Sequence, residues 1–550
     1  MKKSKILISL IVCFSGAFIF AQESENVEEI SLPDVSTVIS GGAPKVGKSA
    51  VSDFSDVLPS SDSEIVMELP TLPDSSDSTS SEKDEIFKAS SEKTIYVEGL
   101  AGGGFPGFIT GNFKIYRETG NSPFVVDFGH EGANGYSGRD LTSSYSDRNT
   151  HIAFDKMFKV NKTKLDFKGH FNSEENGLQN KNETISGVTH ETLGGSFNFI
   201  QMFSDETELG FNASGDWYKR YATVVGTSDI ADYALDVGLL YLEPELYFLW
   251  NHKGFSLKTL FCYDFEYDLK NSLDGGSAAN RGDFSILLGW KNDIVNIYGS
   301  AGVIVSNYIG DNSVIIPFSA GIDFGFNSSL SSRKIKIDLK GGLDSYRPKI
   351  IDFEKRYGFT SASYLAQETS DWFGLCSVLL PIKDRFTLNL NAEFKKSAFE
   401  NGTVMADYDK KADLNKLFGQ YVFIQEELTQ FNTNADFSVR LGYFNFSAGW
   451  KAFWIDKPSD FGNHFASASF SFQEPKSKFG FKGSAGVSFD SEDDNTPKVD
   501  FETFFRLTPA VRLAVSLDDV VKLITDDERK VCGDYISRSG TASVLVKFFF

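Results

Sequence analysis

The chain has 550 residues and a formal net charge of −21, with 52 Phe and 48 Gly beside only 15 Pro and 5 Met. Its four cysteines are scattered and form no Cys-x-x-Cys pair, so neither a disulfide framework nor a structural zinc site is implied. Mean hydropathy is −0.20, and beyond the N-terminus no apolar run approaches the ~18 residues of a membrane helix. Helical spanning is therefore excluded, whereas a β-barrel is not, because strand alternation hides its membrane face from any average.

Residues 1–21 read as an export signal. Lys2, Lys3 and Lys5 precede an apolar stretch over 6–20, and Ala21 offers a small residue for cleavage before Gln22. The stretch 22–93 differs in kind: it holds 16 acids and 5 bases, and Ser, Asp, Pro and Thr dominate residues 60–81. Such a composition buries no core and predicts a disordered, acidic periplasmic segment. Within it Leu32-Pro33-Asp34, Leu69-Pro70 and Leu72-Pro73-Asp74 are short apolar anchors stiffened by proline. Anchors of this kind dock in a partner's groove or enter a lumen; the bland alternative is a passive spacer.

From Thr94 the pattern turns to period two and keeps it to the last residue. Phe255, Leu257, Thr259, Phe261, Tyr263, Phe265 and Tyr267 share one face, against Ser256, Lys258, Asp264, Glu266 and Asp268 on the other. Leu165, Phe167 and Phe171 oppose Lys164, Asp166, Lys168 and His170 in the same way. Side chains of a strand point alternately to its two sides, so one face is apolar and the other wet. Short polar links, as near 160–162 and 250–253, alternate with longer loops, as at 347–370 and 398–430. Short periplasmic turns and long extracellular loops are the habit of outer-membrane barrels. The expected fold is all-β: a large antiparallel transmembrane barrel of 20 to 22 strands over residues 94–550. Its place is the outer membrane of a diderm bacterium, with outer-membrane lipid around it. The uncertain count concerns the first pair, since 94–117 can be one long strand or two.

At the C-terminus Val544, Val546, Phe548 and Phe550 alternate and end on an aromatic residue. This resembles the terminal-strand signal read by barrel-assembly machinery. Trp217, Tyr218, Trp250, Trp290, Trp372, Trp450 and Trp454 fall on or near strand ends and are expected to form interfacial girdles.

The run from Arg512 to Val521, then Tyr535, Gly540 and the stretch 544–550, together with the Gly-rich opening 102–113 and 145–149, resembles TonB-dependent outer-membrane receptors. Asp519 and Val520 stand where that family often carries Asn and Leu. The resemblance implies solute uptake and a TonB-like energiser met through the N-terminal segment. About 72 residues separate Ala21 from Thr94, too few for the plug domain such receptors carry, so a plug-poor barrel is expected, gated by loops, tail or a partner.

No chemistry of catalysis emerges. The six histidines are dispersed, the glycines at 99–107 do not open a helix and so form no phosphate loop, and acid pairs such as Asp493-Asp494 read as solvated loops or weak calcium sites. No cofactor, metal, nucleic acid or enzymatic activity is expected. Two readings remain: a transport barrel, and a closed surface scaffold or adhesin displaying its long loops.

Overall fold

A computed structural model describes residues 95–550 apart from short internal stretches. The signal, the acidic segment and its Leu-Pro anchors lie outside the described residues, as do Asp493 and Asp494.

The chain from Tyr96 to Phe549 forms one closed antiparallel barrel of 22 strands. The sheet contains 23 segments because Asp311–Ile315 and Phe318–Asn327 both pair with Val295–Tyr308, as one strand interrupted at residues 316–317. The uncertain first pair is two strands, Tyr96–Phe105 and Phe108–Arg117, in register from Tyr96 opposite Tyr116 to Gly104 opposite Phe108. Among the described residues no helix is long and apolar enough to cross a membrane.

Closure joins the two ends of the sequence. Tyr96–Phe105 lies antiparallel to Thr541–Phe549, with Glu98 opposite Phe549 and Gly104 opposite Ser543. Val97 and Phe550 exchange backbone hydrogen bonds of 2.9 and 2.8 Å below them. The Gly-rich opening has its reason here: a Cβ on Gly99 would stand 2.0 Å from the ring of Phe548. Glycine lets the final aromatic strand approach its neighbour.

Short turns close one end of the barrel. Between His252 and Phe255 both turn residues, Lys253 and Gly254, have positive φ (47° and 86°), the conformation that matches the twist of a two-residue hairpin. Gly254 is needed twice over, because a Cβ would also meet the Lys291 carbonyl at 2.4 Å.

The faces follow the alternation. Ile152, Phe154, Phe158, Phe261, Phe284, Val544 and Val546 are exposed on the outer surface, the apolar face expected of a transmembrane barrel. Trp217, Trp250, Trp372, Trp450 and Trp454 are exposed too. Tyr218 is a correction: it is fully buried on the inward face, one residue out of phase with Trp217. The strands Ile185–Ser204 and Thr207–Val224 run 20 and 18 residues, beyond the ~9–11 that cross hydrocarbon. Their upper ends project past the membrane and carry His190, Tyr218 and Arg220 inward.

Candidate functional site

The long loops fold into the barrel mouth. Residues 347–368 carry the helix Ile350–Arg356 and the short strand Thr360–Ser361. The loop after Ser397 holds Thr403–Lys411 and Tyr421–Glu426, paired as an antiparallel hairpin. Thr360–Ser361 runs parallel to Tyr421 and Val422, so the two loops share a three-stranded inner sheet. Ile350, Ile351, Leu365, Val404 and Phe423 pack from the loops against Tyr218, Val237, Leu239 and Ala279 of the wall. Burial of each large aliphatic side chain stabilises this lid by roughly 1.5–3 kcal/mol.

A charge sits inside that apolar packing. Glu354 and Arg220 are 1% and 0% exposed and form an ion pair. Glu354 also accepts from the Tyr218 hydroxyl and from the Ala362 amide at 2.8 Å, with His190 Nδ1 at 3.5 Å. Arg220 donates twice more to the Ala362 carbonyl, at 3.3 and 3.2 Å. Burial alone would push the Glu354 carboxyl up; the Arg220 guanidinium, His190 and the Tyr218 hydroxyl outweigh it and hold the carboxyl below its ordinary value. A buried pair gains little over an apolar replacement, but removal of one partner strands the other. The pair therefore acts as a latch of defined geometry rather than as a source of stability.

Further ion pairs staple the lid's edges to the wall. Arg281 bonds Glu368 at 3.1 Å, Asp264 at 3.0 Å and the Ser345 carbonyl at 3.0 Å. Arg347 lies 3.7 Å from Glu266, and Lys349 pairs with Glu243. On the opposite side the last loop joins in. Tyr535 stacks on Phe359 with ring centroids 4.0 Å apart and meets Tyr421 edge-on at 6.1 Å. Arg529 is held by Asp519 at 2.6 Å, and Gln179 makes two hydrogen bonds with the backbone of Ile536, at 2.7 and 3.0 Å.

Below the lid the inward face is polar: His170 lies 3.1 Å from Asp216, and Asn296 donates to Asp323 at 2.7 Å. Among the described residues no group of three or more His, Cys, Asp or Glu side chains is placed to hold a metal ion. The loops fill the mouth with buried side chains, and the Tyr218 hydroxyl lies between His190 Nδ1 at 2.7 Å and Glu354.

Of the residues singled out in sequence, Val544, Val546, Phe548 and Phe550 lie on or at the end of the closing strand, with Val544, Val546 and Phe550 exposed outward. The sequence reading missed Arg220, Glu354 and the lid. The available signal was the apolar content of a stretch read as a loop: Ile350, Ile351, Phe353 and Leu365 have no reason to face water.

No protein-family model and no curated protein matches the chain. Solved structures do. The FrpB iron transporter from Neisseria meningitidis (F3-3 variant) superposes with a TM-score of 0.62 at 8% identity, over 85% of this chain and 83% of that one. The fold is that of a TonB-dependent-receptor-like outer-membrane barrel. The copper transporter OprC matches with a TM-score of 0.59 at 10% identity, over 83% and 80% of the two chains. The siderophore receptor PiuA from Acinetobacter baumannii gives 0.57 at 9%, over 84% and 82%. These neighbours are transporters and receptors, and identities this low establish the shared fold alone.

Proposed function

We propose that the chain takes a small solute across the outer membrane through a lumen that its own extracellular loops hold shut. The observation that carries this reading is the buried lid: two of the longest loops are folded inward around Glu354 and Arg220. A barrel of 22 strands without a filling would be an open hole, since barrels of 16–18 strands already conduct water. The inward packing favours uptake over the scaffold reading, because side chains buried in the mouth cannot be displayed to a partner. The neighbours named above carry iron, copper or siderophores, which supports a metal or metal-chelate cargo. The Leu-Pro anchors Leu32-Pro33-Asp34, Leu69-Pro70 and Leu72-Pro73-Asp74 supply docking points for a periplasmic, TonB-like energiser.

Planar-bilayer conductance tests the gate. The mature protein is expected to be silent, and removal of residues 348–367 and 399–427 is expected to give discrete, cation-selective openings, in line with the acidic balance of the chain. A lidless barrel that is folded, as shown by heat-modifiable migration, yet still silent would refute the lid as the gate.

A further inference from the structure

Three neighbouring strands near the periplasmic end place like charges directly opposite one another on the inward face. Arg506 of Lys498–Thr508 faces Arg512 of Val511–Asp518, and Arg512 faces Lys547 of Thr541–Phe549. Lys482 extends the arc on the next strand, and one carboxylate, Glu502, lies 3.1 Å from Lys482 and 3.9 Å from Lys547. Arg512, Lys547 and Lys482 thus gather around the single carboxylate Glu502, which leaves this part of the arc positive. Like charges directly opposite in a sheet are destabilising unless an anion joins them. Arg512 shows the deficit most clearly. It is 7% exposed, and its guanidinium lies 5.2 and 5.5 Å from the rings of Phe504 and Phe549. Its Nε and Nη1 are buried with no hydrogen-bond partner among the described residues. A buried guanidinium seeks a carboxylate or phosphate with which to share those donors.

We propose that the occupant is the chain's own acidic segment, with residues 74–85 seated on the arc from inside the barrel. Three observations select it. The charge is complementary: residues 74–85 contain Asp74, Asp77, Glu82, Asp84 and Glu85 against Lys83 alone. The segment is delivered to the right place, because it runs into Tyr96 of the strand that pairs with Lys547's own strand, where Leu100 faces Lys547. The reach suffices too. From Ile95 to the level of Leu100 is about 17 Å at ~3.4 Å per strand residue. The ten residues back to Glu85 span up to about 35 Å when extended. The inference needs the closed barrel and its charges, not transport.

The test is photo-crosslinking in the full mature chain, with a benzophenone amino acid at Ser78. Adducts are expected on peptides from Lys498–Thr508, Val511–Asp518 and Thr541–Phe549. Arg512→Gln with Lys547→Gln should reduce them on the order of tenfold, the scale of losing two partly buried charge contacts. Arg512→Glu with Lys547→Glu should abolish them, and adding Asp77→Lys, Asp84→Lys and Glu85→Lys should restore them. Heat-modifiable migration reports that each variant is folded. Adducts that are absent in the parent, that survive both substitutions, or that fail to return on charge reversal overturn the proposal. Unlike conductance, this readout stays informative if the barrel transports nothing.

Discussion

Glu354→Ala isolates the latch. The substitution leaves the Arg220 guanidinium, 0% exposed, without its carboxylate inside an apolar cluster. Loss of one member of a buried pair costs roughly 3–5 kcal/mol. The barrel strands do not depend on this contact, so the cost falls on the lid, whose open form becomes about 10²-fold to several-thousand-fold more populated at ~1.4 kcal/mol per decade. Hydrogen exchange followed by mass spectrometry reads this at amides that do not bond Glu354, such as Tyr421, which donates to Phe359 at 2.9 Å, and Tyr357, which donates to Phe353 at 2.7 Å. Exchange there should rise by about that factor, while amides of Phe255–Asp268 stay protected. The paired replacement Glu354→Leu with Arg220→Met should return most of the protection, because an apolar pair of similar volume serves as well as a buried ion pair. Unchanged exchange in Glu354→Ala, or an equal rise in lid and wall, would refute the reasoning.

The same carboxyl sets a pH limit. Its folded pKa lies below the ordinary value of 4.5, so the stabilisation is complete above that value and is lost as pH falls through the lower folded one. Conductance should therefore be silent and unchanged from about pH 8 to 5 and should appear only in more acid solution. Opening that began near neutrality would point to a different group. Tyr535→Ala removes the stack on Phe359 and the edge contact with Tyr421. A buried aromatic truncation costs about 3–5 kcal/mol, so the loop 519–540 should become cleavable by protease in a barrel that stays intact. Deletion of Phe550 removes its backbone bonds with Val97 and the last outward aromatic side chain. The yield of heat-modifiable protein in the outer membrane should drop severalfold, and an unaffected yield would remove Phe550 from the assembly signal.

Strand alternation was legible because lipid and water impose opposite demands on adjacent residues, and nothing in the wall relaxes them. The strand from Phe255 to Asp268 and the closing strand at the C-terminus could be read side chain by side chain. The lid obeys no such period. Its helix is seven residues long, its strands are short, and its partners on the wall lie over a hundred residues away in sequence, as Arg220 does from Glu354. Tyr218 was misread for a related reason. Alternation says which residues share a face, and Tyr218 sits beside Trp217 on the opposite one. An aromatic residue at a strand end suits either a membrane interface or a packed mouth, and only the loops above it decide which.

The seam between first and last strands has a bearing on how the protein is made. Every other strand finds its neighbour within a hairpin or a loop, but Tyr96–Phe105 must wait for Thr541–Phe549, over four hundred residues further along the chain. Until they arrive the sheet is an open ribbon with two bare edges, each offering unpaired backbone groups to any other extended chain. A product that lacks Thr541–Phe549 leaves Tyr96–Phe105 without its partner and cannot close. It stays a template for aggregation until the seam between Tyr96–Phe105 and Thr541–Phe549 is made.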